Sequence, residues 1–502
     1  MPVMKADVLI LGSSFSGSLL AWLLAKRGLR VVLIDRDRQP RFAIGESSTP
    51  VADLLLAQLA RGWGLPELAP LTRFGSWQDA YPQLICGKKR GFSYFRHHPG
   101  RRYVDSADHD SSLLVAASSS DADSDTHWLR ADVDHFLLTR AIAAGVQAFE
   151  AVDLTRLDRT RSGWAASWQP AGSEVSTETS VRAEWLIDAS GGGGLLGRFL
   201  GLSRRDDQLS TQTEAVYGHF RGVASWDALQ LAAGNRSTLW PFASDDAAQH
   251  HLLDEGWLWM LRFVDGRCSA GLVQPLKPAG RALGAERVWA NTLTRYPSLA
   301  ACFADSQICQ PLVASGRLNR LWSAAAGPRW AMLPTTAGFV DPLHSTGIAH
   351  AIHGVARLAT VLAAGGDPTE PLARYGETVI KEICWVDSLV SAAYAVWDDF
   401  ELFVEACRLF FIATINFEQR LSDGTFPEAA GFLSADRLPL RAAVLKARPH
   451  LLAAAPATAD ARRGHRQQFR ELLEPWDTAG LFTAATPHRL PHTAASKSGA
   501  MV

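Results

Sequence analysis

The sequence has few cysteines, almost no excess of charge and no unbroken hydrophobic run of membrane-spanning length. Its six cysteines are scattered over 502 residues without a CxxC pair. This spacing argues against a disulfide framework and a zinc cluster and favours reduced thiols in a cytoplasm. The 50 basic and 51 acidic residues leave a net charge of −1. No overall field therefore favours nucleic acid or an anionic membrane as a partner, and a soluble globular protein is expected.

The most apolar N-terminal stretch, residues 8–25, has about the length of a membrane span, but a Gly/Ser run from Gly12 to Ser18 interrupts it. Ala6–Leu11 is typical of a buried parallel strand, Phe15–Arg27 of a helix, and Val31–Ile34 of a second buried strand. We therefore interpret the stretch as part of a βαβ unit, not as a membrane span or a signal peptide.

The turn of this unit carries a dinucleotide-binding pattern, G-x-S-x-x-G. Gly12 and Gly17 occupy its ends, and Ser14 replaces the central glycine of the usual pattern. The glycines allow a tight turn and close packing of helix on strand, so that the helix N-terminus can face a pyrophosphate. Asp35 lies about 20 residues further on, where an acidic residue binds a ribose hydroxyl. The pattern predicts one dinucleotide site, with an ordinary βα turn as the alternative, and does not choose between NAD and FAD.

The remaining chain predicts more strands and helices around this unit. Trp185–Gly191 is typical of a buried strand entering a glycine-rich turn, and short alternating segments between Ala215 and Val273 predict an inserted antiparallel sheet. Residues 106–125 lack periodicity and predict a mobile loop or an insertion. The expected fold is mixed α/β, with a Rossmann-type domain, an inserted substrate sheet and a helical C-terminal region. The expected units are residues 1–80, 126–200 and 320–365 for the dinucleotide-binding domain, 81–125 and 201–319 for the sheet domain, 366–486 for the helical region and 487–502 for a disordered tail.

Four segments together resemble the flavin-dependent halogenases, especially the tryptophan-halogenase-like branch of the flavin monooxygenases with the p-hydroxybenzoate hydroxylase fold. They are the N-terminal pattern continued by Ile44–Pro50 (similar to GE-x-x-x-P), Asp188–Gly191 (similar to DATG), Trp257–Arg262 (similar to WxWxIP) and Ala337–Ile348. The resemblance implies an oxidoreductase with FAD in the Rossmann-type domain. The residues that it assigns to FAD binding are Gly12, Ser14, Gly17, Asp35, Glu46, Asp188, Gly191, Asp341, Pro342, Gly347 and Ile348.

The resemblance also implies the reaction. A separate flavin reductase supplies FADH2, oxygen gives a flavin hydroperoxide, and chloride or bromide attacks it to form hypohalous acid, which halogenates an electron-rich aromatic substrate. The halide is expected at the backbone amides of Thr346 and Gly347, because a Ser/Thr-Gly turn opening a helix presents unpaired N–H groups to an anion. A plain helix cap, or a site for oxygen atoms of the flavin, is the alternative for this turn.

Lys89 is the residue expected to act on hypohalous acid. In the family a lysine before an aromatic-rich strand receives this oxidant, either as a haloamine or through a hydrogen bond. The spacing to Tyr94 favours Lys89 over Lys88, and both stay open. Basic residues continue through 96–102, so the alternative is a solvated basic face, or a dock for an acidic or carrier-protein-tethered substrate.

His344 stands where tryptophan-specific members carry glutamate, so tryptophan is not secured as the substrate. Imidazole titrates near neutrality, which makes His344 a candidate acid or base, with a structural histidine as the alternative. Arg262 replaces the proline of the WxWxIP motif, and Pro334-Thr335 replaces the family's GD or GN step. These departures keep an aromatic hydroxylase and a non-catalytic flavoprotein open. No metal is expected, because the histidines near residue 350 lack a supporting carboxylate pattern.

Overall fold

The computed structural model describes residues 3–172, 178–235, 241–277, 284–425, 430–483, 488–490 and 494. Within them the strands are β1 Met4–Leu11, β2 Val31–Ile34, β3 Cys86–Lys89, β4 Gly91–Arg96, β5 Ser112–Ala116, β6 Asp125–Trp128, β7 Gln147–Phe149, β8 Val152–Thr160, β9 Gly163–Pro170, β10 Thr179–Asp188, β11 Thr213–Arg221, β12 Ala248–Leu253, β13 Gly256–Arg262, β14 Arg267–Pro275, β15 Gln307–Ile308, β16 Val313–Arg317, β17 Arg320–Leu321, β18 Ala326–Gly327, β19 Trp330–Met332, β20 Gly338–Phe339 and β21 Arg489–Leu490. The α-helices are α1 Phe15–Lys26, α2 Pro50–Gly62, α3 Phe74–Ala80, α4 Arg130–Ala143, α5 Leu195–Phe199, α6 Trp226–Ala232, α7 Ala285–Arg295, α8 Pro297–Phe303, α9 Pro334–Ala337, α10 Thr346–Ala363, α11 Thr369–Ala395, α12 Phe400–Ser422, α13 Leu438–Ala454 and α14 Ala459–Leu473.

The first sheet has the strand order β18-β19-β10-β1-β2-β7, in which the strands from β19 to β7 are parallel and β18 is antiparallel to β19. β9 pairs with β10, and β8 pairs with β9, both in antiparallel orientation. β1 pairs in parallel with both β2 and β10. The continuous apolar runs of β1 and β2 fit this position, since a strand covered on both faces has no polar side; Val8, Leu9 and Ile10 are fully buried. The Rossmann-type unit predicted from residues 6–34 is therefore confirmed.

The second sheet has the order β15-β11-β14-β13-β12-β4-β5-β21, with β16 also paired to β11. The pairs β11–β14, β13–β14, β12–β13 and β4–β5 are antiparallel, as the alternating pattern predicts. β4 lies parallel to β12, and β21 lies parallel to β5. These two strands come from distant parts of the chain, so no hairpin dictates their direction and the sheet is of mixed orientation.

Two stretches that predict no regular structure contain strands. Residues 106–125 include β5, which is buried along its whole length and lies between β4 and β21. Residues 487–502 include β21, where Arg489 lies 3.1 Å from the carboxylate of Asp105. The predictions of a loop and of a disordered tail are therefore wrong for the residues of β5 and β21, because pairing with a distant strand supplies order that local periodicity does not reveal. Apart from Ala494, residues 491–502 lie outside the described residues.

The helical region predicted from apolar spacing after residue 373 includes α11 and α12. Aromatic side chains of α12 pack against the second sheet: the ring centroids of Phe411 and Phe92 are 5.5 Å apart, and so are those of Phe403 and Tyr94. None of the described helices combines the length and apolarity that a membrane span requires. The division of the chain into units at residues 80, 200, 320 and 365 stays a prediction.

Candidate functional site

A cleft of about 740 Å³ lies between the two sheets, a volume within the usual range of cofactor pockets. Leu11 and Ile34, the last residues of β1 and β2, line one side of it, and Trp257 and Trp259 of β13 line the other. Parallel α/β sheets bind ligands at the carboxyl ends of their strands. The cleft thus stands where the dinucleotide pattern predicts a ligand.

The turn after β1 is built for close approach. A Cβ atom on Gly17 would lie 2.1 Å from the carbonyl oxygen of Gly12, so only glycine fits there. Gly12 adopts a φ of +111°, and a Cβ atom on it would lie 2.6 Å from the carbonyl oxygen of Ala189. Gly12 and Ser14 line the cleft, whereas Gly17 lies behind them and keeps the turn tight.

The N-terminus of α1 and the carboxylate of Asp35 complete this end of the cleft. No described side chain caps α1 at Ser14, which leaves first-turn N–H groups for a ligand anion. Asp35 accepts hydrogen bonds from the Ser13 amide at 2.6 Å and from the Ser13 hydroxyl at 2.8 Å. Each carboxylate oxygen can accept more than one bond, so Asp35 can hold the turn and still bind a ribose hydroxyl. The glycine cradle and uncapped helix fit a dinucleotide such as FAD.

In the second glycine turn, Asp188 holds the backbone in place and Gly191 lines the cleft. Asp188 is fully buried and does not line the cleft; its carboxylate accepts from the amides of Ser190 at 2.9 Å and Leu196 at 2.8 Å. Burial raises the pKa of Asp188 above its ordinary value. Gly191, which this carboxylate helps to position, does line the cleft. Asp188 therefore shapes the turn from behind.

Asp341 also acts from behind the cleft. Its carboxylate accepts from the Thr213 hydroxyl at 2.6 Å and from the Tyr394 hydroxyl at 2.9 Å, and burial raises its pKa to about 6. The Tyr394 hydroxyl in turn accepts a 2.8 Å hydrogen bond from the indole N–H of Trp257. This chain of contacts ties the first tryptophan of the WxW pair to the turn that contains Pro342. Tyr394 carries no motif signal that distinguishes it from other helix aromatics.

Glu46 lines the cleft, and its carboxylate lies 2.8 Å from Nε2 of His219 on β11. Arg130 fixes the turn just before it, since its guanidinium donates to the carbonyl oxygens of Ile44 at 2.8 Å and Gly45 at 3.2 Å. The turn that carries the predicted GE-x-x-x-P pattern is thus held from two directions.

The segment from Pro342 to Ile348 separates the cleft from a second cavity of about 30 Å³. Pro342, Ser345, Gly347 and Ile348 line the cleft, whereas His344 and Thr346 line the second cavity. α10 starts at Thr346, and its N-cap Ser345 has a φ of +56°, a strained conformation for a residue with a side chain. No described side chain caps this helix. Thr346 and Gly347, the two residues predicted to bind halide, therefore border different cavities at one helix N-terminus.

The second cavity is closely packed and mainly aromatic. Its volume of about 30 Å³ suits roughly one water molecule, whereas a cavity that holds benzene measures about 150 Å³. Entry of an aromatic ring therefore requires side chains to move apart. The side chains that line it, besides His344 and Thr346, include Thr49, Phe92, Phe410, Phe411, Glu418, Phe432 and Ala494.

Lys89 is completely buried and does not itself line either cavity. Its Nζ atom donates to the carbonyl oxygen of Ser48 and lies 4.1 Å from the ring centroid of Phe92, a cation–π geometry. Ser47, the residue before Ser48, lines the cleft, and Thr49, the residue after it, lines the second cavity. The side chain of Lys89 thus contacts Ser48, whose chain neighbours line the two cavities, and Phe92, which lines the second cavity.

Lys88 lies on the opposite face of β3. Its ammonium group is paired with Asp121 at 2.6 Å and with Asp246 at 2.9 Å near the protein surface. Because side chains alternate along a strand, two adjacent lysines necessarily face different environments. The ambiguity between the lysines is resolved in position: Lys88 belongs to a solvated charged face, and Lys89 belongs to the interior.

His344 is a buried, neutral side chain at the edge of the second cavity. Its Nδ1 atom lies 3.0 Å from the Tyr94 hydroxyl, and its ring stacks on Phe410 with centroids 4.2 Å apart. Burial lowers the pKa of His344 well below its ordinary value. Its Nε2 atom has no hydrogen-bond partner among the described residues. One ring nitrogen is therefore held in place and the other is available to a ligand.

Comparison with known proteins identifies the family. Residues 120–408, more than half of the chain, match the tryptophan halogenase family, and residues 10–51 match an NAD(P)-binding Rossmann-like domain. The chain belongs to the tryptophan halogenase family. It is thus a flavin-dependent, FAD-binding enzyme, and the resemblance found in the sequence is confirmed.

Individual relatives agree with this assignment. The chain is 29% identical to monodechloroaminopyrrolnitrin halogenase PrnC of Pseudomonas fluorescens over 83% of this chain and 72% of that one. It is 28% identical to tetracycline 7-halogenase of Kitasatospora aureofaciens over 82% and 73% of the two chains. The crystal structure of halogenase PltM with phloroglucinol and FAD superposes with a TM-score of 0.83 at 24% identity, covering 95% of this chain and 98% of PltM. The likeness to PltM supports the fold.

Arg320 of this halogenase is a cleft residue that no sequence motif indicates. Its guanidinium donates to the carbonyl oxygen of Thr335 at 2.6 Å and lies 5.3 Å from the ring centroid of Phe339. Its Nε atom is buried without a hydrogen-bond partner among the described residues. Burial, aided by nearby Arg204, lowers the pKa of Arg320 to about 10, so it remains a cation near neutral pH. Such a group fits the anionic or carbonyl-bearing parts of FAD.

His350 and His353, the other two histidines near the Pro342–Ile348 segment, are buried among aromatic side chains, and the ring centroid of His353 lies 5.3 Å from that of Phe417 and 5.7 Å from that of Phe432. His350 stacks on Phe432 with ring centroids 4.5 Å apart and lies 3.3 Å from the carboxylate of Glu382, which also pairs with Arg357 at 2.8 Å. Within the described ranges, no group of three or more His, Cys, Asp or Glu side chains is arranged to hold a metal ion.

Proposed function

We propose that this enzyme installs chlorine or bromine on an electron-rich aromatic ring through hypohalous acid, and that Lys89 activates this oxidant. The location of the Lys89 ammonium carries the proposal. It is buried against Ser48, whose two neighbours line the cleft and the second cavity respectively. A small oxidant that leaves the cleft for the second cavity would meet the ammonium on the way.

The cleft residues divide into those that would contact FAD and those that support them. Gly12, Ser14, Asp35, Gly191 and Arg320 line the cleft and would hold the cofactor. FAD, bound as FADH2, supplies the reaction of oxygen that oxidises the halide; the protein supplies orientation and exclusion of water. The support comes from Gly17, Asp188 and Asp341.

The uncapped N-terminus of α10 is our candidate for the halide. Its first amides have no side-chain cap among the described residues, and a helix N-terminus favours an anion. Gly347 faces the cleft, where the halide would be oxidised, and Thr346 faces the second cavity. A halide held here would stand between the cleft and the second cavity.

His344 would orient the substrate. A neutral imidazole fixed by Tyr94 can exchange a hydrogen bond with a phenolic O–H or a ring N–H through Nε2. The low pKa that keeps the ring neutral also makes it a weak base. We therefore assign His344 to holding the ring and directing its reactive carbon towards Lys89, with proton removal as a secondary role.

The test is a mass spectrum of products formed from chemically reduced FAD, oxygen, bromide or chloride, and a panel of phenols, indoles and pyrroles. The wild-type protein is compared with Lys89→Met and with its matched control Lys88→Met, which removes the neighbouring ammonium on the other face of β3. We expect a halogen isotope pattern for wild type and Lys88→Met and none for Lys89→Met. Addition of a single oxygen, independent of halide, would instead assign the protein to the hydroxylases.

We further propose two partners. A separate flavin reductase would supply FADH2, so that NADH and FAD alone give no product until a reductase is added. A carrier-protein-tethered substrate would dock at the exposed Arg101 and Arg102. Substituting both arginines by alanine is expected to weaken binding of such a substrate most at low salt, and an unchanged affinity would remove this dock.

A further inference from the structure

The strand register brings a carboxylate to Lys89. In the antiparallel pair of β3 and β6, Lys89 stands directly opposite Asp125, and Lys88 stands opposite Thr126. Directly opposed residues project to the same face, with Cβ atoms about 4.5–5.5 Å apart. Lys89 and Asp125 are both fully buried. An amino group and a carboxyl group are thus enclosed together on the inner face of a two-stranded ribbon.

The other contacts of Lys89 also suit a cation. The Ser48 carbonyl oxygen accepts from Nζ, and the face of the Phe92 ring is a region of negative potential that attracts an ammonium. A buried charge without compensation is expensive, and it is retained only where opposite charge or hydrogen bonds replace water. Asp125 supplies the full opposite charge that a carbonyl oxygen and a ring do not.

We propose that Asp125 is a positioning residue that keeps Lys89 as an ammonium, so that Lys89 activates hypohalous acid by donating a hydrogen bond and not by forming a haloamine. The proposal rests on the proposed function. A haloamine requires the lone pair of a neutral amine: the N–X bond forms, the O–X bond breaks, and the displaced hydroxide leaves as water with the amine proton. In an ammonium this lone pair is already bonded to a proton.

The alternative step is balanced without any covalent change in the lysine. An N–H bond of Lys89 donates to the oxygen of HOX and draws electron density from the O–X bond. The aromatic carbon then forms the C–X bond with the halogen, the O–X bond breaks, and the hydroxide leaves as water with the ring proton. The ring is oxidised by two electrons and the halogen is reduced by two. Lys89 ends each turnover as it began.

Asp53 is a second buried carboxylate near Lys89, since it accepts a 3.1 Å hydrogen bond from the hydroxyl of Ser48, whose carbonyl oxygen accepts from Lys89. Asp53→Asn is therefore compared with Asp125→Asn in the rate of halogenation between pH 6 and 10, and only the Asp125 variant is expected to move this pH profile.

The nearby histidines do not supply a charge. His127 on β6 and His250 on β12 stay neutral near physiological pH, because burial, followed by the positive charge of Lys89, lowers the pKa of each to about 3. The remaining charged side chains near β3 are engaged in ion pairs that lie on its outer face or beyond it. They are Lys88 and Arg90 with Asp121, Lys88 with Asp246, and Arg262 with Asp245.

Two measurements on Asp125→Asn and Asp125→Glu test the proposal. The first is the rate of product halogenation between pH 6 and 10 with chemically reduced FAD. Without the carboxylate, the buried ammonium loses its proton more easily, so we expect the alkaline loss of rate to move down by at least one pH unit in Asp125→Asn. Asp125→Glu should restore most of the shift. Asp121→Asn, which removes the partner of Lys88 on the other face, should leave the profile unchanged.

The second measurement needs no flavin. Hypochlorous acid is added to the apoprotein at pH 8 until the exposed Lys381 carries chlorine, because the six cysteines and five methionines consume the first equivalents. The peptide that contains Lys89 is then examined by mass spectrometry for a chlorine isotope pattern. We expect chlorine on Lys89 in Asp125→Asn and none in the wild-type protein. Chlorinated Lys89 in the wild-type protein would overturn the proposal, and so would a pH profile that Asp125→Asn does not move.

The outcomes separate this proposal from the proposed function. If Lys89→Met still halogenates, the proposed role of Lys89 is refuted, and the positioning role of Asp125 is refuted with it. If Lys89→Met is inactive and Asp125→Asn keeps the wild-type pH profile, only the present inference fails. Thermal unfolding and FAD titration establish that each variant is folded. Should Asp125→Asn not fold, the wild-type chlorination result alone decides: unmodified Lys89 supports the ammonium, and a chlorinated Lys89 refutes it.

Discussion

Substitution of Gly17 by alanine is the sharpest test of the cofactor cleft. The new Cβ atom would lie 2.1 Å from the Gly12 carbonyl oxygen and 3.0 Å from the Ala189 side chain. The first contact is about 1 Å too short, so backbone must move. Overpacking of this kind costs about 1–3 kcal/mol, and the rigid backbone on both sides points to the upper end. The same movement displaces Gly12 and Ser14, which line the cleft.

Thermal unfolding with and without FAD measures both effects. We expect Gly17→Ala to unfold several degrees below the wild-type protein and to gain little from FAD, whereas FAD at 100 times its Kd stabilises the wild type by about 2.7 kcal/mol. Gly62→Ala is the matched control, since Gly62 ends α2 with nothing within 4 Å of an added Cβ. An unchanged Tm and FAD affinity in Gly17→Ala would refute the geometry of the turn.

Three further substitutions have defined outcomes. Arg320→Met should weaken FAD binding by about 10- to 100-fold in a fluorescence titration, because a charge-assisted hydrogen bond is worth about 1.5–3 kcal/mol; equal affinity would exclude Arg320 from the site. Burial raises the pKa of Asp341 to about 6, so its stabilising effect is complete at low pH and is lost as the pH rises through 6. Between pH 4 and pH 7, the free energy of unfolding of the wild type, measured with denaturant, should therefore fall by on the order of 2–3 kcal/mol more than that of Asp341→Asn. An equal change in the two proteins would contradict this sign. His344→Phe preserves stacking on Phe410 but removes Nε2, and it should lower product yield at least about 10-fold with FAD affinity unchanged; a drop in FAD affinity instead would assign His344 to the cofactor site.

Local patterns predicted the parts of the fold that depend on neighbours in sequence. The run from Ala6 to Ile34 contains every signal needed for a βαβ unit, because both strands, the glycine turn and the helix lie within one short segment. The strands β5 and β21 could not be predicted in this way. Each is ordered by pairing with a strand that local periodicity does not reveal, and β21 pairs more than 370 residues away from its partner.

The candidate site likewise has features that local sequence predicts and features that depend on contacts between distant segments. Spacing favoured Lys89, but its burial and its separation from Lys88 follow from the register with β6, which the sequence near Lys89 does not contain. Arg320 was missed because it stands on a two-residue strand without a motif. What marks it is the buried Nε atom, which has no hydrogen-bond partner among the described residues and which only the folded structure reveals. Asp341 was expected at the cofactor, and the structure shows its carboxylate bound to Thr213 and Tyr394 behind the cleft.

The wall formed by residues 342–348 has a consequence for redesign. Under the proposed function, FAD would occupy the cleft and the aromatic substrate would occupy the second cavity, so the oxidised halogen species would be the reactant that moves between them. The second cavity can then be reshaped without changing the cleft that would hold FAD. Smaller side chains at Phe410, Phe411 or Phe432 should widen the range of aromatic substrates while the reaction of FAD continues. The second cavity is therefore the natural starting point for altering regiochemistry.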